Sequence, residues 1–235
     1  MSVVFLIRHG QASFGSDNYD KLSALGCQQA SILGDYFAKA GVHFDAAYAG
    51  DLQRQQQTAA LALASQPHTR EVITDARFNE IDTDQHMQHL LPVLAERDER
   101  IAALLAKGAK QSRDFQKMIE ATFNYWVSDA CKQAGVQSWQ DYSTAVATAF
   151  SELKQLNSGG KTVAVFSSGG TIATLVAQVL GLGGAHTYRF YEPMINCSIT
   201  QILYGNDKAS LSVFNDVSYL HVASHAHGEN LLSYR

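Results

Sequence analysis

Val3-Val4-Phe5-Leu6-Ile7-Arg8-His9-Gly10 decides the fold reading of this 235-residue chain. Five consecutive apolar residues, several of them β-branched, read as a short strand. The run stops at a cation and an imidazole. In open α/β sheets the carboxyl end of a strand is where ligands bind. Gly10 carries no Cβ, so backbone and ligand can approach closely there. His9 is therefore a candidate nucleophile beside an anion-binding arginine, although an isolated Arg-His-Gly also arises by chance.

Working outward, the rest of the chain supports an α/β reading. Residues 28–40 place Ala30, Leu33, Phe37 and Ala40 on one helical face, with Gly41 as a stop. Residues 45–49 read as a second strand, with Asp51 expected as N-cap of a helix over 52–65. Val72-Ile73-Thr74 is a short third strand. From about 86 to 157 the pattern is helical, with Phe115, Met118, Ile119, Phe123 and Trp126 in phase. A second phased set, Tyr142, Val146, Ala149, Phe150 and Leu153, follows the capping pair Ser138 and Asp141. The aromatic stripe reads as core, Trp126 included. Strand pattern returns over 161–167, then Gly169-Gly170 opens a helix. Residues 198–203 and 210–214 read as a hairpin across Gly205-Asn206-Asp207. Alternating strands and helices predict an α/β fold with a mainly parallel central sheet and helices on both faces. The length fits a single domain over 1–235, with a mostly helical insertion at about 86–157.

Composition narrows the partners. Apolar residues make up 46% of the chain, enough for a substantial core. A net charge of −4 argues against nucleic acid or a membrane surface as partner, while leaving room for a local basic pocket. Cys27, Cys131 and Cys197 lie far apart, which suits free thiols in a reducing compartment. The N-terminal apolar run is too short for a signal-peptide core, and no stretch of about 18 apolar residues exists to span a membrane. Cytoplasmic residence is the resulting expectation. Periodicity is silent on oligomeric state, and a dimer stays open.

Chemistry concentrates at three strand ends. The first supplies Arg8 and His9. The second leads through Asp51-Leu52-Gln53 to Arg54, in the first turn of the next helix. The third supplies Ser167-Ser168-Gly169-Gly170, whose N–H groups at a helix start suit an anion. Guanidinium forks bind phosphate oxygens bidentately, so Arg8 and Arg54 with Ser168 and Gly169 describe a phosphate pocket around His9. A histidine there can attack phosphorus and split hydrolysis into two easier steps. The leaving alkoxide needs a proton, and Glu80, in Arg77-Phe78-Asn79-Glu80-Ile81-Asp82, fits that need, with Asp82 and Asp84 as substitutes.

These blocks carry a resemblance. Phe5-Leu6-Ile7-Arg8-His9-Gly10-Gln11, then Tyr19-Asp20-Lys21-Leu22-Ser23-Ala24-Leu25-Gly26 with Gln29-Ala30, resemble the opening of the histidine phosphatase, or phosphoglycerate mutase-like, superfamily. Asp51-Leu52-Gln53-Arg54-Gln55-Gln56-Gln57-Thr58-Ala59 resembles its second arginine motif, and Phe78-Asn79-Glu80-Ile81 its acid segment. Each block is weak alone; their order and spacing are specific. The resemblance implies a three-layer α/β sandwich and a phosphomonoester hydrolase of a small phosphorylated substrate. His9 would be the phosphoryl acceptor, Arg8 and Arg54 the phosphate clamps, and Glu80 the proton donor, with no metal and no cofactor.

Two departures qualify it. The family's strand–Ser-His-Gly-Gly block reads Ser167-Ser168-Gly169-Gly170 here, so Ser168 stands in place of a second histidine. Losing one such donor to a transition state typically costs about 3–4 kcal/mol, or roughly 10²–10³ in rate. A catalytically impaired member that binds a phosphorylated ligand is therefore the alternative, unless His186 or His221 reaches in. The additional basic blocks of the mutases are missing, which places a phosphoglycerate mutase behind a phosphatase. A metal site at His221, His225 and His227 has no acidic or cysteine partner nearby and reads as a surface run. Asn196, Asn215 and Asp216 read as turn and cap residues.

Overall fold

A computed structural model describes residues 1–13, 19–66, 71–108, 112–131, 135–205 and 207–234. The opening run forms β1 (Ser2–Arg8), and its neighbours in the sheet explain why it is apolar throughout. β1 pairs in parallel with β4 (Thr162–Ser167) and antiparallel with β5 (Ile199–Tyr204). β2 (Ala46–Ala49) lies parallel to β4 and to β3 (Val72–Thr74). β6 (Ala209–Asp216) closes the other edge as an antiparallel hairpin with β5. The six-stranded order is β3-β2-β4-β1-β5-β6, with β5 alone reversed.

Side chains alternate between the two faces. Val4 and Leu6 of β1, with Val163 and Val165 of β4, join one apolar cluster. Phe5 and Ile7, with Ala164 and Phe166, join the other. The first cluster is covered by α7 (Trp139–Leu156) and α8 (Gly169–Val179) through Val146, Phe150, Leu153, Ile172 and Val176. The second is covered by α1 (Ala24–Lys39), α2 (Gln53–Leu63) and α10 (Ser218–His227) through Leu33, Phe37, Ala59, Ala62 and Leu220. The result is helix, sheet, helix: the expected three-layer α/β sandwich.

Between β3 and β4 run α3 (Thr83–His89), α4 (Leu91–Ala95), α5 (Glu99–Lys107), α6 (Ser112–Trp126) and then α7. The helical stretch at 86–157 divides by its packing. α7 lies in the layer on the sheet, whereas α4, α5 and α6 form a small cluster of their own around Leu91, Ile101 and Met118. Trp126 packs edge-on against Trp139 at 5.2 Å and donates from Nε1 to the Gln137 carbonyl at 2.7 Å, so it is core.

Capping explains where expected and observed boundaries differ. α1 begins at Ala24, earlier than expected, because the Ser23 hydroxyl accepts from the Gly26 N–H at 3.0 Å. Asp51 does not cap α2. Its carboxylate accepts from Asn79 Nδ2 at 2.6 Å, and the Gln53 N–H is met instead by Asp20 Oδ2 at 2.7 Å. Ser138 and Asp141 form the expected pair, the Ser138 hydroxyl accepting from the Asp141 N–H at 3.0 Å. Of the hairpin turn, Asn206 lies outside the described residues.

Candidate active site

The parallel register sets Arg8 beside Ser167, so His9 and Ser168 leave adjacent strands at the same level. The His9 N–H donates to the Ser167 carbonyl at 2.9 Å. Beyond them, the Gly10 N–H donates to Thr58 Oγ1 at 3.0 Å, and that hydroxyl donates to the Arg54 carbonyl at 2.7 Å. One threonine thus ties the turn after β1 to the first turn of α2. Gly10 also meets Gly26 closely: a Cβ on Gly10 would lie 2.5 Å from the Gly26 carbonyl oxygen.

The His9 ring is buried. Its Nδ1 lies 2.7 Å from the Gly10 carbonyl oxygen, which accepts only, so Nδ1 carries the proton. Nε2 is left with a lone pair, and it accepts from Arg54 Nε at 3.2 Å. Burial first, then the positive charges of Arg54 and Arg8, hold His9 well below the usual imidazole range. The ring is therefore neutral at physiological pH, as a nucleophile must be.

Arg54 donates from Nη1 to Asp20 Oδ1 at 2.6 Å. Arg8 is gripped from the far end of the chain. Its Nη1 donates to the Met194 carbonyl and its Nη2 to the Tyr234 carbonyl, the latter at 2.9 Å. Its Nε is buried without an acceptor among the described residues. The segment after α10 is itself pinned: Gln29 Nε2 donates to the Leu231 carbonyl at 2.7 Å, and the Asn196 N–H to the Ser233 carbonyl at 2.9 Å.

Glu80 follows a short 3₁₀ turn, Ala76–Phe78, held by neighbouring elements. Ser167 Oγ donates to the Phe78 carbonyl at 2.6 Å and Thr171 Oγ1 to the Asn79 carbonyl. Glu80 Oε1 accepts from the N–H groups of Gly170 at 2.9 Å and Ile81 at 3.0 Å. Burial raises the Glu80 pKa above the ordinary carboxyl value, outweighing Arg54, those backbone donors and Arg8.

Arg8, His9, Arg54 and Glu80 line one cavity of about 700 Å³. Ser168 and Gly169 do not line it. Ser168 is fully buried, its hydroxyl accepting from Gln55 Nε2 at 2.8 Å. The Tyr191 ring lies over Gly169, where an added Cβ would come within 2.9 Å of it. The start of α8 thus gives its Gly170 N–H to Glu80. His186 and His221 are exposed and stand outside the cavity wall. His221, His225 and His227 lie along α10, and no group of three potential metal ligands gathers among the described residues.

Asn215 and Asp216 serve as turn and cap, Asn215 at φ 54° and Asp216 Oδ1 accepting from the Ser218 N–H at 2.9 Å. Asn196 does more than turn the chain. It is fully buried, and its Nδ2 donates to the His9 carbonyl at 3.1 Å. The outer wall also holds Tyr19, Phe115, Ile119 and Tyr191, of which Phe115 and Ile119 share the helical period read as core. The three cysteines are free thiols.

Residues 4–217 match the family model of the histidine phosphatase superfamily, branch 1. This chain belongs to that superfamily. No curated protein matches the chain by sequence. Among solved histidine phosphatase-like structures, a mutant phosphoserine phosphatase from Entamoeba histolytica in complex with phosphoserine superposes with a TM-score of 0.66 at 20% identity, covering 94% of this chain and 100% of the other. A phosphoglycerate mutase from Bacillus anthracis gives 0.63 at 19%, covering 93% and 94%. An alpha-ribazole phosphatase from Shigella flexneri gives 0.61 at 20%, covering 91% and 96%. At these identities the likeness establishes the shared fold. No helix among the described residues is long and apolar enough to cross a membrane.

Proposed function

We propose that this superfamily member hydrolyses phosphomonoesters through a phosphoryl group carried on His9 Nε2. The observation that carries the reading is the His9 ring: Nδ1–H is committed to the Gly10 carbonyl, and the Nε2 lone pair sits beside Arg54 at the cavity floor. A phosphate monoester entering there takes over the Arg54 Nε–H donor, and its oxyanions are met by the charges of Arg54 and Arg8. Nε2 then forms a bond to phosphorus as the phosphorus–alkoxide bond breaks. Because both backbone donors engage Glu80 Oε1, the acid proton resides on Oε2 and passes to the leaving oxygen. In the second half, the Glu80 carboxylate takes a proton from water. The hydroxide oxygen bonds to phosphorus, and His9 departs neutral with inorganic phosphate as product.

A second reading, a binding protein with little turnover, is favoured by one observation. Ser168, which we take to replace the family's second histidine, is sealed under Gln55 and offers nothing to the cavity. The test is hydrolysis of p-nitrophenyl phosphate by wild type and His9→Ala, with binding of inorganic phosphate measured in parallel. Turnover lost in His9→Ala supports the hydrolase. Phosphate binding without turnover in wild type supports the second reading.

A further inference from the structure

The cavity is sharply divided in charge. Its floor holds Arg8 and Arg54, the only lysine or arginine side chains that line it among the described residues. Above Glu80 its wall carries Asp82, Asp84 and Glu192, with Phe115, Ile119 and Tyr191 supplying apolar surface between. Asp82 is engaged as the cap of α3, accepting from the Gln85 N–H at 2.9 Å. The carboxylates of Asp84 and Glu192 make no hydrogen bond or ion pair among the described residues. Their position matters because the alcohol half of an ester seated on Arg8 and Arg54 shares the same cavity with them.

We propose that the substrate is a phosphomonoester whose alcohol half is partly apolar and carries an ammonium group. This rests on the phosphohydrolase reading above. A second phosphate or a carboxylate on the alcohol would face like charges with no further cation among the described lining residues to offset them, whereas an amine finds acceptors. The aromatic side chains contribute further, since an ammonium is attracted to the faces of such rings. Apolar atoms between the phosphate and the amine would cover Phe115 and Ile119, which a short hydrophilic acid would leave wet.

The experiment compares phenyl phosphate with para-(aminomethyl)phenyl phosphate and para-carboxyphenyl phosphate, three esters that share one ring and differ in distal charge. Affinity is measured by calorimetry on His9→Ala protein, and kcat/KM on wild type. Exposed charge contacts are individually modest, so the aminomethyl ester is expected to bind about tenfold more tightly than the carboxyl ester. The preference narrows to about threefold or less in an Asp84→Asn, Glu192→Gln variant, and with added salt in the unmodified wall. Equal or tighter binding of the carboxyl ester overturns the proposal, as does a preference that survives both substitutions. Failure of the hydrolase reading looks different: no phosphate is released from any ester, while the order of affinities still reports the charge preference.

Discussion

Gln55 Nε2 donates to Ser168 Oγ at 2.8 Å, and both side chains are fully buried. Gln55 also reaches the Phe78 carbonyl at 3.1 Å, while its own Oε1 is buried without a donor. A histidine at 168 would compete with Gln55 for this buried space. Ser168→His alone is therefore expected to lower the melting temperature without raising turnover of p-nitrophenyl phosphate, because overpacking costs about 1–3 kcal/mol. Gln55→Ala with Ser168→His opens the space and supplies a charged donor, and turnover is expected to rise at least tenfold over wild type, towards the roughly 10²–10³ that one such donor is worth. A double variant no faster than wild type would show that the donor is not what limits the site.

The pH profile follows from His9 and Glu80. Burial and two arginines depress the His9 pKa, so the ring stays neutral well below pH 6.5. Burial raises the Glu80 pKa above 4.5, so the acid keeps its proton further up the scale. The kcat/KM profile is expected to fall at low pH as His9 gains a proton and at higher pH as Glu80 loses its own. Glu80→Gln should remove the alkaline limb. It should slow an alkyl phosphate by about 10²-fold or more, and p-nitrophenyl phosphate by less, since nitrophenolate leaves without a proton.

Gly26 sits where α1 meets the loop after β1, and an added Cβ would lie 2.1 Å from the Gln11 carbonyl oxygen and 2.8 Å from its nitrogen. Both are backbone atoms and neither can swing aside. Gly26→Ala is expected to destabilise the fold by about 2–3 kcal/mol, read as a lower denaturant midpoint, and to reduce turnover by shifting Gly10 and His9. A variant of unchanged stability would mean that α1 can slide relative to β1.

His86 of α3 packs its ring 4.5 Å from that of Trp126. Burial lowers its pKa to about 4 from 6.5, with Asp82 opposing. The unfolded chain takes up a proton below pH 6.5 that the folded chain refuses until about pH 4, so this residue costs stability progressively as pH falls across that window. Each unit of depression corresponds to about 1.4 kcal/mol. His86→Phe keeps the ring and is expected to flatten the acid side of the stability curve. An unaltered curve would place the proton elsewhere.

Much of this was legible in the chain because the physics is local. Val3 to Ile7 spell a strand, and Ser138 with Asp141 spell a helix start. Arg8, His9, Arg54 and Glu80 follow strand ends, and topology brings strand ends together. Ser168 and Gly169 misled because a helix start looks open in sequence, whereas Gln55 and Tyr191 close it from elsewhere in the fold. Asn196 and Tyr234 were unreadable for the same reason: their contacts to His9 and Arg8 span 187 and 226 residues. Phe115 and Ile119 share the period of buried neighbours on α6, and periodicity cannot tell a core face from a cavity wall.

The grip on Arg8 by the Met194 and Tyr234 carbonyls sets an order of events during synthesis. β1 is synthesised before its sheet partners β4 and β5, and its arginine before the Met194 and Tyr234 carbonyls that accept from it. Until then an apolar strand stands with both edges open, a surface prone to mispairing. A chain cut short before those carbonyls keeps Arg8 and His9 but lacks the acceptors that orient the guanidinium.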